Sequence, residues 1–448
     1  MARLGAWPIT LVAPKTTVSV AGDPCGVATA STVNTNNSVV RRTSGNQRRS
    51  IRCQSTANTA GAWSIAAFGN PTLLRDHDYY LRFYFQVDAL PASTIQILSW
   101  INNGSGGMIS IDLTSAGKLQ CWDRFTGNVA QIGSDSATTI AVNTWYRVEI
   151  HVRVSSTSGA HSTVEAYLYA GTNGDDTLSP DTLVNSTTVT LGNAASNAPG
   201  QMGFGWNAAP GTGTKTIYFC DIGLNDDTGS NGNTSWLGVG LLWTLFAASD
   251  NSRGSWTTGN GTASAVYDSI NGGGASAFGL ASPTSDSGAT TTPSAQAKNA
   301  GGATDNGDFN LQDYTTAGLP SGEGIAAVGA VGCFGPNTTA ALDSWLEMVS
   351  NPAITGKTLT GAATAVAAFA TGWKWVSLTV ADNPSVTNGT APVIRIGKRT
   401  AGNTLECGAA MGWFESYPSS APTANTATET ESLSSVGVLT AALVATDP

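Results

Sequence analysis

Apolar and polar residues alternate strictly along residues 78–88. Tyr79, Leu81, Phe83, Phe85 and Val87 fall on one side; Tyr80, Arg82, Tyr84, Gln86 and Asp88 fall on the other. Residues 145–154 repeat the scheme, with Tyr146, Val148, Ile150, Val152 and Val154 inward and Arg147, Glu149, His151 and Arg153 outward. Residues 162–170 do so again through Val164, Ala166, Leu168 and Ala170. A period of two is the signature of a β-strand, and one apolar face per strand predicts antiparallel sheets buried on one side. Further strands are expected at 94–100, 108–113, 118–122, 182–191, 201–206 and 215–224, divided by Gly/Asn/Ser turns such as 102–107. A second series runs through 324–334, 345–349, 373–380, 393–397 and 405–417, and no helical period exceeds two or three turns.

The organisation that follows is all-β: a short arm at 1–14, a sandwich at 15–236, a connector rich in Gly, Ser, Ala and Thr at 237–300, a second and smaller β-sandwich at 301–420, and a tail at 421–448. At 448 residues the chain exceeds one ordinary core. Hydrophobic residues reach 41%, which excludes wholesale disorder, whereas charged residues reach only 11%. The polar surface must therefore be Ser, Thr, Asn and Gly. The net charge of −9 argues against a nucleic-acid partner, which calls for a basic face. Residues 1–240 hold 14 basic and 15 acidic side chains, and residues 241–448 hold 7 and 15, so the second half carries the imbalance. The six cysteines are widely spaced with no Cys-x-x-Cys, which disfavours a zinc site or redox dithiol. Residues 1–8 lack a long apolar run before a small-residue cleavage site, so no secretory leader is expected, and the longest apolar runs, 236–248 and 436–445, are too short to span a bilayer.

Three stretches carry a resemblance. Gly117-Lys118-Leu119-Gln120-Cys121-Trp122, followed by Asn143-Thr144-Trp145-Tyr146-Arg147-Val148-Glu149-Ile150, resembles the concanavalin A-like and laminin G-like jelly roll. Asp221-Ile222-Gly223-Leu224-Asn225-Asp226-Asp227-Thr228-Gly229, closing with Asn233-Thr234-Ser235-Trp236-Leu237-Gly238, resembles the end of that fold in structural proteins of tailed bacteriophages. Residues 309–320 resemble the second domain that commonly follows. The resemblance implies a non-catalytic virion component, a minor tail or fibre protein, assembled in the host cytoplasm and exposed on the particle. It also implies contacts with other virion proteins and a homo-oligomer, a trimer first among the options. The alternatives are a capsid decoration protein, a host-recognition adhesin that binds surface glycan and, more distantly, a glycoside hydrolase.

Jelly-roll glucanases carry paired carboxylates on one strand, and no such string occurs; Glu149 and Glu165 are read as single carboxylates on a solvated, salt-bridging face. His77, His151 and His161 form no triad by spacing, and neither Gly-x-Ser-x-Gly nor His-Glu-x-x-His is present. No cofactor is expected, apart from a calcium ion that the laminin G resemblance suggests at Asp175 and Asp176 or at Asp226 and Asp227. Tyr84, Trp100, Trp122 and Trp206 are the candidates for stacking on sugars, against the plainer reading of core aromatics. Arg41, Arg42, Arg48, Arg49 and Arg52 form a basic cluster read as a contact for an acidic protein surface.

Overall fold

The computed structural model describes residues 3–7, 27–28, 33–36, 50–55, 60–65, 73–102, 107–125, 129–157, 162–175, 180–189, 198–227, 236–258, 265–270, 297–301, 305–336, 343–359, 374–378, 381–382, 384–402 and 404–418. They form an all-β chain of two antiparallel sandwiches, with short helices only at Thr172–Gly174, Val266–Ile270 and Tyr314–Ala317. In the first sandwich an eight-stranded sheet runs Asp181–Val189, Ser162–Tyr169, Tyr146–Arg153, Asp78–Val87, Lys215–Asp226, Ser50–Ser55, Val33–Asn36. Arg3–Trp7, inside the expected arm, also pairs with Lys215–Asp226. The facing seven-stranded sheet runs Ala130–Ile132, Leu119–Asp123, Gly107–Leu113, Ile95–Asn102, Pro199–Trp206, Gly61–Ile65, Val27–Ala28.

The predicted inward rows meet between these sheets. Leu81, Phe83, Phe85, Val148, Ile150 and Val152 are all fully buried. Phe83 sits edge-on to Phe204 with centroids 5.4 Å apart and reaches Phe219 at 6.0 Å, the offset geometry aromatic rings prefer. Cys53, Cys121, Cys220 and Cys407 are buried, and burial pushes the Cys121 thiol up to about 12.

The second sandwich begins earlier than composition suggests. Its seven-stranded sheet runs Trp256–Thr258, Ala297–Asn299, Leu405–Pro418, Glu323–Pro336, Lys374–Ser377, with Leu241–Leu245 and Ala381–Asp382 paired alongside. Its five-stranded sheet runs Ala247–Ser252, Asp305–Leu311, Val393–Lys398, Ser344–Ser350, Ile354–Leu359. Among the described residues four strands, Leu241–Leu245, Ala247–Ser252, Trp256–Thr258 and Ala297–Asn299, thus lie in the stretch 237–300, expected as connector. The reason is visible in Leu241–Leu245, where every residue is buried. One side packs in the second core, where Trp243 stacks on Phe414 at 6.0 Å. The other side approaches the first sandwich, where the Leu242 N–H donates to Asp221 Oδ1 at 2.9 Å. A strand covered on both faces shows no alternation.

The same segment corrects a second expectation. The polar outer row of the eight-stranded sheet was read as a solvated face, yet Arg82, Tyr84, Arg147 and Glu149 are at most 1% exposed. Residues 236–242 and Glu415 of the second sandwich lie across them. Arg82 Nη1 meets Glu415 Oε1 at 2.6 Å, while its Nε donates to the Asp221 carbonyl at 3.1 Å and Nη1 to the Gly238 carbonyl at 3.2 Å. The Gly238 N–H donates to Glu149 Oε2 at 3.3 Å. Arg147 pairs with Glu149 at 2.8 Å, donates to the Gly174 carbonyl at 3.0 Å and lies 3.8 Å from the Tyr169 ring centroid. Gly240 passes so close that a Cβ there would stand 2.2 Å from both Arg82 Nη1 and Glu415 Oε1. Buried charges persist only when paired and hydrogen-bonded, and these are.

Candidate functional site

Where the buried face runs out, four rings gather. Tyr80 stacks on His151 with centroids 4.6 Å apart, and Trp236 meets Tyr80, His151 and Tyr167 edge-on at 5.4, 6.1 and 5.1 Å. The strand register explains the grouping: His151 lies opposite Tyr80 on one neighbour and Glu165 on the other. His151 Nδ1 lies 2.6 Å from Glu165 Oε2 and Nε2 lies 2.7 Å from Asp78 Oδ1, while Arg153 Nη1 donates to Asp78 at 2.9 Å. Burial opposes the charged imidazole, but bonds to Asp78 and Glu165 outweigh it and hold the His151 pKa above 6.5. When the ring is protonated both nitrogens donate, and the imidazolium ties the neighbouring strands electrostatically. Glu165, expected on a solvated face, is instead buried against His151, and the grouping was not legible in the sequence. Cross-strand pairing of alternating polar residues was the signal, and it needed the strand order.

The outer face of the seven-stranded sheet lies on the opposite side of the first sandwich from this interface. In-register pairing places Gln131, Trp122, Ser110, Ser99 and Gly203 in one transverse row over five strands, about 19 Å at the usual strand spacing. Trp122 is half-buried at one end of the row, and the middle is floored by small residues. The Trp122 Nε1–H donates to Gln120 Oε1 at 3.1 Å, and Gln120 and Gln131 each donate to Asp135 Oδ1 at 2.8 Å. The Arg124 guanidinium lies 4.8 Å from the Trp122 ring centroid and is neutralised by Asp112, with Nε also donating to Ser110 Oγ at 2.9 Å. Burial moves the Asp112 carboxyl upward, against Arg124 and Ser110, which pull it down. The result is a face that pairs Arg124 with Asp112, ties two amides to Asp135 and carries one partly exposed indole.

The residues singled out from sequence fall as follows. Trp100 and Trp206 are fully buried in the first core, and Tyr84 lies under residues 236–242, so these three are corrected as sugar-stacking candidates. Trp122 keeps an exposed part. Asp226 is buried, and Asp227 accepts from the Asp78 N–H at 3.2 Å and pairs with His77 Nδ1 at 2.7 Å. Asp175 caps the Thr172–Gly174 turn, and Asp176 lies outside the described residues. Among the described residues no three His, Cys, Asp or Glu side chains gather as a metal site, and no helix is long and apolar enough to cross a membrane. Arg52 is half-buried opposite Tyr218; Arg41, Arg42, Arg48 and Arg49 lie outside the described residues, as does His161.

No protein-family model matches the chain, and no curated protein does. Solved structures similar to it include an endo-β-1,4-glucuronan lyase from the fungus Trichoderma reesei, at 13% identity and TM-score 0.32 over 46% of this chain and 90% of that one. An alginate lyase from Aplysia kurodai aligns at 12% identity and TM-score 0.33 over 43% and 86%. One from Pseudomonas aeruginosa aligns at 14% and 0.29 over 41% and 83%. The expectation of a non-catalytic virion component, tail, fibre or decoration protein, is corrected here: the solved structures named above are polysaccharide lyases, not virion proteins. At this level the likeness does not extend to substrate or reaction.

Proposed function

We propose that the chain engages polysaccharide through the outer face of its seven-stranded sheet. The observation that carries this reading is Trp122. It is the one aromatic of the four with an exposed part, and it sits at the end of a straight row of small polar residues. An indole offers a flat apolar surface with a polar edge, and such side chains serve where one side of the contact is apolar and the other wet. Gln120, Gln131 and Ser99 bring amides and a hydroxyl beside it, the donors and acceptors that sugar hydroxyls match. Since Asp112 cancels Arg124, the face suits hydroxyl recognition rather than charge capture.

Calorimetric titration of the full chain with a panel of soluble polysaccharides tests the proposal. Trp122→Ala is expected to weaken binding about tenfold, roughly 1.4 kcal/mol, while stability changes by no more than about 0.5 kcal/mol, as for a surface site. Equal affinity of wild type and Trp122→Ala across the panel would defeat the reading.

A further inference from the structure

The second sandwich presents a Trp–Arg pair of its own, built differently. Trp345 points outward from Ser344–Ser350, whose Leu346 and Met348 fill the core. Its indole lies down on the neighbouring strand: a Cβ on Gly356 would stand 1.9 Å from Trp345 Cζ2 and 2.2 Å from Cε2. Only glycine leaves room for the ring there. On the other neighbour, Gly397 lies opposite Trp345, and a Cβ on it would stand 2.6 Å from Arg399 Nη1. The Arg399 guanidinium is thus laid over a second glycine, 4.8 Å from the Trp345 centroid. Two glycines on two strands let an indole and a guanidinium lie low, side by side, on an outer sheet face.

Charge separates this pair from the one on the first sandwich. Arg395, on the same face, is held by both Asp308 oxygens at 2.7 and 2.8 Å and by Glu347 at 3.5 Å. Arg399 donates to Asn306 Oδ1 at 2.7 Å and to the Lys398 carbonyl at 3.4 Å, both neutral acceptors. Among the described residues no carboxylate lies within ion-pair distance of it. Glu347 is occupied by Arg395 and by the Trp345 Nε1–H at 3.2 Å. Arg399 is a pre-oriented cation whose fork has spare donors, and guanidinium geometry matches carboxylates bidentately.

We propose that this face is a second glycan site, selective for an acidic polysaccharide whose carboxylate pairs with Arg399 and whose sugar ring covers the exposed part of the Trp345 indole. The site uses other residues, in the other sandwich, and stands whether or not Trp122 binds sugar.

The test is titration of the full chain with a polyuronate oligosaccharide and with the same oligosaccharide after its carboxyls have been reduced to alcohols. Arg399→Gln is expected to weaken polyuronate binding at least about tenfold, the size of one good charged contact, and to leave the reduced oligosaccharide unaffected. Arg399→Lys keeps the charge without the fork and should fall between. Wild-type affinity for the polyuronate should drop as salt rises, and that slope should shrink in Arg399→Gln. Trp122→Ala, run in parallel, should leave the Arg399-dependent component in place, so the two sites fail or succeed separately. Unchanged polyuronate affinity in Arg399→Gln, at unchanged melting temperature, would overturn the proposal. So would equal binding of the reduced and acidic forms with equal loss of both in the variant.

Discussion

Removing one end of the Arg82–Glu415 pair asks how firmly the two sandwiches are joined. In Glu415→Leu the Arg82 guanidinium, 0% exposed, keeps its bonds to the Asp221 and Gly238 carbonyls but loses its counter-charge 2.6 Å away. Leaving one member of a buried pair alone costs about 3–5 kcal/mol. At about 1.4 kcal/mol per decade, that is two to three and a half decades in the folded population. Arg82→Met leaves Glu415 buried and should cost a similar amount. With both changes no orphan charge remains; the two carbonyls lose a donor at about 1 kcal/mol each. The double variant should therefore lose clearly less than the sum of the single ones, with a coupling of roughly 2 kcal/mol or more. Urea unfolding, followed by far-ultraviolet circular dichroism, measures all four corners of the cycle without screening the pair as a salt denaturant would. A loss below about 0.5 kcal/mol in either single variant, the size of a surface change, would refute the burial argument. Additive losses would refute the pairing.

Three further outcomes follow from the geometry. The His151 cluster has two pH limits. Its charged imidazole contributes stability that is fully present below 6.5 and lost as pH rises through the raised folded value. Burial pushes Asp78 up, but His151 and Arg153 outweigh it and bring its carboxyl below 3.8, so its contribution is present above 3.8 and lost as pH falls through the lower folded value. Urea midpoints across a pH series should fall on both sides, and His151→Gln should flatten the alkaline side; an unchanged alkaline fall would count against the tie. Phe83→Ala empties the meeting point of three phenylalanine rings and should cost about 3–5 kcal/mol, read as a shift in melting temperature. Gly240→Ala forces a methyl against Arg82 and Glu415 and should cost about 1–3 kcal/mol; full stability in that variant would show that the crossing is loose.

Much of the fold was legible because a strand half-buried in a sandwich writes its orientation into alternate residues. Tyr79 to Val87 and Tyr146 to Val154 read correctly for that reason, residue by residue. Legibility ended where burial stopped being one-sided. Leu241–Leu245, covered on both faces, lost its period, so the second sandwich was begun too late. The outer row of Arg82, Tyr84, Arg147 and Glu149 kept its period but hid its fate, since polar side chains alternate alike under water and under a polar interface.

The candidate sites divide along the same line. Sequence determined that Trp122 and Trp345 stand in strands, and that arginines stand two and 54 residues beyond them. Only the tertiary structure decided which aromatics keep an exposed part, because Trp100, Trp122 and Trp206 all lie in similar strand patterns and differ in which sheet face meets the core. It alone placed Gly356 and Gly397 on either side of Trp345, and Arg399 beside it. Strand order is set by long-range pairing, and a linear pattern with a period of two fixes which face a residue occupies but not which strand lies next to it.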